Sequence, residues 1–135
     1  MPMKDSKSAE LISLGNYDEF SPGYGFDSLK EHCSSTKYEN QDRIVAYLSQ
    51  GFESGLVSMS YPHDVFTGER IPCERMLIND GVYQWWKPLA YYVKIYNLRL
   101  PPEVEEHMLA NYNSHLKAQL IVRREKDYQK NQERK

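Results

Sequence analysis

Three breakers, Asp80-Gly81, Pro88 and Pro101-Pro102, divide the segment from Ile78 to Met108, and they constrain most of what this chain can build. The segment reads I-N-D-G-V-Y-Q-W-W-K-P-L-A-Y-Y-V-K-I-Y-N-L-R-L-P-P-E-V-E-E-H-M. Asp80-Gly81 suits a type I′ turn, whose two central residues take positive φ, so Arg75–Ile78 and Val82–Trp85 read as an antiparallel hairpin. Pro88 fits the first turn of a helix with Leu89, Tyr92, Val93 and Tyr96 on its apolar face and Asn97 as its stop. Pro101-Pro102 restarts a helix. Glu103, Glu105 and Glu106 fall in its first turn, where the helix dipole favours anions. Val104, Met108, Tyr112, Leu116 and Leu120 recur every four residues, which predicts one helix to about Ile121, with Arg123 onward extending it partly or fraying.

Upstream signals are shorter. Asn40 is placed to cap a helix from Gln41, with Ile44, Tyr47 and Leu48 on one face and Gly51 as the stop. From Gly55 to Tyr61, Val57, Met59 and Tyr61 alternate with small polar residues, the pattern of a half-buried strand, which Pro62 ends. Thr67-Gly68 marks a further turn. Ser28–Cys33 suits one or two helical turns, Asn16–Gly25 is loop chemistry, Ala9–Leu14 suits a short element, and residues 1–8 are expected to fray. The sum is an α+β fold: several helices packed on a small antiparallel sheet, with a long C-terminal helix. Residues 1–122 read as one globular domain and 123–135 as a basic, partly frayed helical tail.

At 135 residues the chain is long enough to bury a core without disulfides or metal. Cys33 and Cys73 are too few for a disulfide framework and read as free, partly buried thiols. No run approaches the roughly 18 apolar residues of a membrane span, and no apolar stretch follows Met1–Lys7 as in a secretory signal, so a cytoplasmic location is expected. Charge is unevenly distributed. Residues 1–115 hold 10 Lys/Arg against 16 Asp/Glu, whereas 116–135 hold 7 against 3. An acidic body attracts basic partners and disfavours nucleic acid, while the basic end reads as a solvated helix terminus.

Catalytic patterns are incomplete. Pro72-Cys73-Glu74-Arg75-Met76 resembles half of a zinc-deaminase signature, but Met76 stands at the second cysteine and His63 is followed by Asp64-Val65 where H-x-E is required. His107 and His115 are about two helical turns apart, too far to grip one metal, and His32 has no companion at ligand spacing. His63-Asp64 makes an acid/base pair only if the fold brings a nucleophile to it. Gly23-Tyr24-Gly25 lacks the third glycine and the lysine of a phosphate loop. Neither catalysis, cofactor nor metal is expected. Most of the rings read as core. A minority of exposed Tyr and Trp beside charge suits protein recognition, and Glu74, Asp80 and the Glu103–Glu106 cluster suit an acidic face for a positively charged partner.

The run I-N-D-G-V-Y-Q-W with L-A-Y-Y-V-K-I-Y-N-L-R-L-P-P-E-V-E-E-H-M resembles a recurring pattern in small uncharacterised bacterial proteins of the Neisseria type. These are similar to immunity proteins encoded beside polymorphic, contact-dependent toxins. Their pattern is D-G-x-Y/W-x-W, a helix with a Tyr-Tyr pair, then L-P-x-E-F and a His-Met; Val104 stands where Phe is frequent. Asp42–Gly51 likewise resembles their I-x-x-Y-L-x-x-G helix. The resemblance covers Asn40 to Met108 and rests on turn, core and helix-start residues. It implies a cytoplasmic, non-catalytic protein that binds and neutralises a cognate toxin domain in contact-dependent inhibition. Under it the exposed acids Asp80, Glu103, Glu105 and Glu106 meet the toxin domain, with Tyr83 and Trp86 as anchors. The alternative is a small cytoplasmic binding or adaptor protein, associated with nucleic acid through its basic C-terminal tail.

Overall fold

The computed structural model describes residues 10–133. The fraying expected for residues 1–8 and the last two residues of the basic tail lie outside them. The fold is α+β, with four α-helices and a four-stranded sheet among the described residues. The strands are β1 (Ile12–Ser13), β2 (Phe52–Val57), β3 (Met76–Asn79) and β4 (Tyr83–Trp86), in the order β1-β4-β3-β2. The sheet is antiparallel except at β1, which pairs parallel to β4 with Ile12 opposite Tyr83.

The hairpin forms within a residue of its expected limits, but its turn is not type I′. Gly81 alone takes positive φ (94°). In place of a second left-handed residue, the Asp80 carboxylate accepts the N–H groups of Val82 and Tyr83 at 2.9 and 2.7 Å. Pleating then separates the two tryptophans. Trp85, opposite Ile78, is buried on the inner face and donates its indole N–H to the Leu48 carbonyl at 2.8 Å. Trp86, opposite Leu77, stands on the outer face and is exposed.

Helix α1 (Gln41–Leu48) packs against the inner face through Ile44, Tyr47 and Leu48, and α2 (Leu89–Tyr96) joins it through Leu89, Tyr92 and Val93. Asn97 ends α2 in the left-handed conformation (φ 56°), as expected. Asn40 does not cap α1 through its side chain; it is itself left-handed, at φ 67°. Gln41 takes over the local bonding: its amide oxygen accepts from Tyr38 N–H and its amide nitrogen donates to the Val93 carbonyl, both at 2.9 Å. Gly51 is not the cap either. Ser49 closes the helix, with its Oγ donating to the Val45 carbonyl. A Cβ on Gly51 would lie 3.0 Å from both the Asn79 carbonyl oxygen and Ile78 Cβ, so glycine is needed there for close approach of two backbones. Gly51→Ala is expected to lower the urea-unfolding free energy by about 1–3 kcal/mol through overpacking.

The single C-terminal helix expected from the four-residue repeat is two helices, α3 (Pro102–Ala110) and α4 (Tyr112–Glu133). Asn111 breaks them, its amide donating to the His107 carbonyl at 2.8 Å. A strict repeat of four drifts about 40° per step against a helix of about 3.6 residues per turn. The inward positions after Met108 are therefore His115 and Gln119, and Leu120 is left exposed. Helix α4 continues past Arg123 to Glu133, with Lys126 paired to Glu53 at 2.5 Å. Among the described residues no helix is long and apolar enough to cross a membrane.

The half-buried strand expected over Gly55–Tyr61 lies elsewhere. The strand is Phe52–Val57, at the sheet edge, irregular around Gly55 (φ 85°). The residues expected to point inward, Val57, Met59 and Tyr61, are all exposed.

Candidate partner-binding surface

Four carboxylates turn toward the body and organise its loops. Asp80, whose side chain is 1% exposed, gathers the two turn N–H groups on Oδ1 and places Oδ2 2.5 Å from Tyr47 Oη and 2.9 Å from His107 Nε2. The hairpin turn is thereby tied to α1 and α3. Tyr47 also stacks on His115, with centroids 4.0 Å apart. Asp64 does the same for the loop after Pro62. It accepts Phe66 and Thr67 N–H on Oδ1 (2.7 and 3.2 Å) and the Tyr91 and Tyr96 hydroxyls on Oδ2 (2.7 and 2.5 Å). Glu105 takes Leu100 N–H at 2.9 Å and a bidentate pair from Arg99 at 3.0 and 2.7 Å. Glu19 takes Leu29 N–H and Ser28 Oγ–H at 2.7 and 2.6 Å.

These bonds determine ionisation. Burial pushes the Asp80 carboxyl upward, but hydrogen bonds from Tyr47, Tyr83, Val82 and His107 outweigh it and hold Asp80 below the usual range. Burial likewise opposes the bonds from Tyr96, Tyr91, Phe66 and Thr67 at Asp64, and again the bonds prevail. Tyr47 is pushed well above the ordinary phenol value by burial and by the Asp80 carboxylate. Asp64 and Asp80 are thus anions engaged by donors of their own chain. The adjacent pair His63-Asp64 is split between surface and interior, with His63 exposed and Asp64 buried. Burial raises the Cys73 thiol, against a smaller lowering by Lys87, which leaves it protonated near neutrality. Among the described residues no group of three His, Cys, Asp or Glu converges to hold a metal ion.

Two of the acids expected to meet a partner are therefore structural: Asp80 and Glu105 are buried and hold a turn and a helix start. Glu103 and Glu106 are exposed on α3. Tyr83 is half-buried, its ring edge-on to His107 at 5.0 Å. Trp86 is exposed, but on the outer sheet face, with the Arg75 guanidinium 5.6 Å from its ring. The six residues do not form one patch.

The apolar surface that sequence reading missed runs from the end of β2 into the next loop. Leu56, Val57, Met59 and Tyr61 are 56%, 55%, 97% and 57% exposed. It follows an edge strand whose outer side is unpaired among the described residues. Alternation of apolar and small polar residues signalled a strand face here, but only a second packing layer would have buried it. Comparisons with protein-family models, characterised proteins and solved structures give no match for this chain.

Proposed function

We propose that the protein is a non-catalytic, cytoplasmic inhibitor of the immunity type, which binds a toxin domain and neutralises it. The observation that carries this reading is the exposed apolar run from Leu56 to Tyr61, which begins on a sheet edge that is unpaired among the described residues. Such a run wastes apolar burial unless something covers it, and an unpaired edge offers backbone donors and acceptors to an added strand. The resemblance over Asn40–Met108 supplies the toxin as partner. The inward carboxylates support a non-catalytic reading, because each is engaged by donors of its own chain. The exposed Glu103 and Glu106 remain available to steer a basic domain.

The nucleic-acid reading draws less support. Lys126 of the basic helix is paired with Glu53, and Glu125 and Asp127 are interspersed with its cations.

The test is growth of cells that express the toxin domain encoded beside this gene. Co-expression of the wild-type chain is expected to restore growth. The double substitution Leu56→Lys and Met59→Lys is expected to abolish protection while leaving the circular dichroism spectrum unchanged, since exposed sites tolerate substitution within about 0.5 kcal/mol. Cells that die despite ample wild-type protein would overturn the reading.

A further inference from the structure

A cleft of about 600 Å³ lies between the segment around Phe20 and the loop around Tyr61, lined by Leu77, Gln84 and Trp86 of the sheet and, on the core side, by Trp85, Leu89 and Tyr92. Its volume lies in the range of small-ligand sites. Three rings that line it are left partly wet, Phe20 at 37%, Tyr61 at 57% and Trp86 at 37% exposure, with the Arg70 guanidinium 3.4 Å over the Tyr61 ring. Flat apolar walls of this kind favour a flat apolar guest, because stacking adds to burial.

The cleft's charge is also unbalanced. Arg75 lines it and leans over Trp86, yet makes no ion pair among the described residues. The carboxylate that lines the cleft, Glu19, is engaged by Ser28 and Leu29. What the cleft lacks is an anion for the guanidinium, whose planar fork suits a carboxylate.

We propose that the cleft binds a small planar molecule bearing one carboxylate, its ring against Trp86 and its carboxylate paired with Arg75. The site shares Tyr61 with the apolar run proposed to meet the toxin, but Arg75 and Trp86, which take the guest, lie outside that run.

The chain's two tryptophans supply a built-in comparison. Both residues line the cleft, but Trp86 is 37% exposed and its indole N–H reports on a guest in heteronuclear NMR spectra, whereas Trp85 is 1% exposed and its indole N–H is bonded to the Leu48 carbonyl. Titration with 2-naphthoate is expected to shift the Trp86 signal saturably and by more than the signal of the buried Trp85. The uncharged analogue 2-naphthamide is expected to bind about tenfold more weakly, and Arg75→Gln is expected to weaken 2-naphthoate by a similar factor, the magnitude of a lost charge-assisted hydrogen bond. An unmoved Trp85 signal in the variant shows that it is folded. The proposal is overturned if millimolar 2-naphthoate leaves Trp86 unshifted, if the amide binds as well as the acid, or if Arg75→Gln binds as the wild type does.

Discussion

Asp80→Ala is expected to destabilise the protein by about 3–5 kcal/mol, a large share of the stability of a domain this size. The carboxylate is almost wholly enclosed and meets two backbone N–H groups, a tyrosine hydroxyl and an imidazole. Alanine leaves these groups facing a small void with no acceptor. An unsatisfied buried donor costs more than the net gain from the bond it has lost. Three elements also lose their common tie, since the hairpin turn, α1 and α3 meet at this one side chain. In a thermal melt followed by circular dichroism the midpoint should fall by about 10–20 °C. Tyr47→Phe removes one bond and keeps the ring, so a loss of about 1 kcal/mol is expected. Glu103→Ala, on the exposed side of α3, should lie within about 0.5 kcal/mol of the wild type. An Asp80→Ala protein that melts with the wild type would show that the turn is held by its backbone alone.

Acid should unfold the protein through the same groups. The folded pKa of Asp80, Asp64 and Glu19 lies below the ordinary value: at each, burial raises it and hydrogen bonds lower it further. In the unfolded chain aspartate and glutamate titrate near about 4. Between the unfolded and folded values the unfolded chain therefore binds more protons, so stability falls as the pH falls. The contribution is fully present above about pH 5 and disappears as the pH drops through the folded values. Urea-unfolding midpoints measured at about pH 7, 5 and 3 should change little over the first interval and drop over the second. Asp64→Asn should be less stable at neutral pH and less sensitive to acid, because it removes a titrating group along with its bonds. A wild-type midpoint constant down to about pH 3 would sink the argument.

Features written locally were legible in the sequence. Helix α2 runs between Pro88 and Asn97, both of which act on their own backbone, and its inward face follows from side chains one turn apart. The hairpin was signalled by Asp80-Gly81. Features decided at a distance were not legible. A carboxylate in a turn or a first helical turn reads as solvated, yet Asp80 turns inward because Tyr47 and His107 lie 33 and 27 residues away. Glu105 turns inward toward Arg99 and the Leu100 N–H group. Strand alternation over Gly55–Tyr61 gave a period but not a covering layer, and Val57, Met59 and Tyr61 are left exposed. The break at Asn111 depends on one amide reaching back a single turn, a competition that a repeat of apolar residues does not record.

The inward carboxylates shape their loops from the inside, each collecting N–H groups of the backbone it stands beside. The outward side chains of those loops take no part in that bonding. They are facing stones on a frame held from behind, and many could be exchanged without shifting the masonry. A protein that had to keep pace with a changing adversary could redraw its exterior this way while its skeleton stayed still.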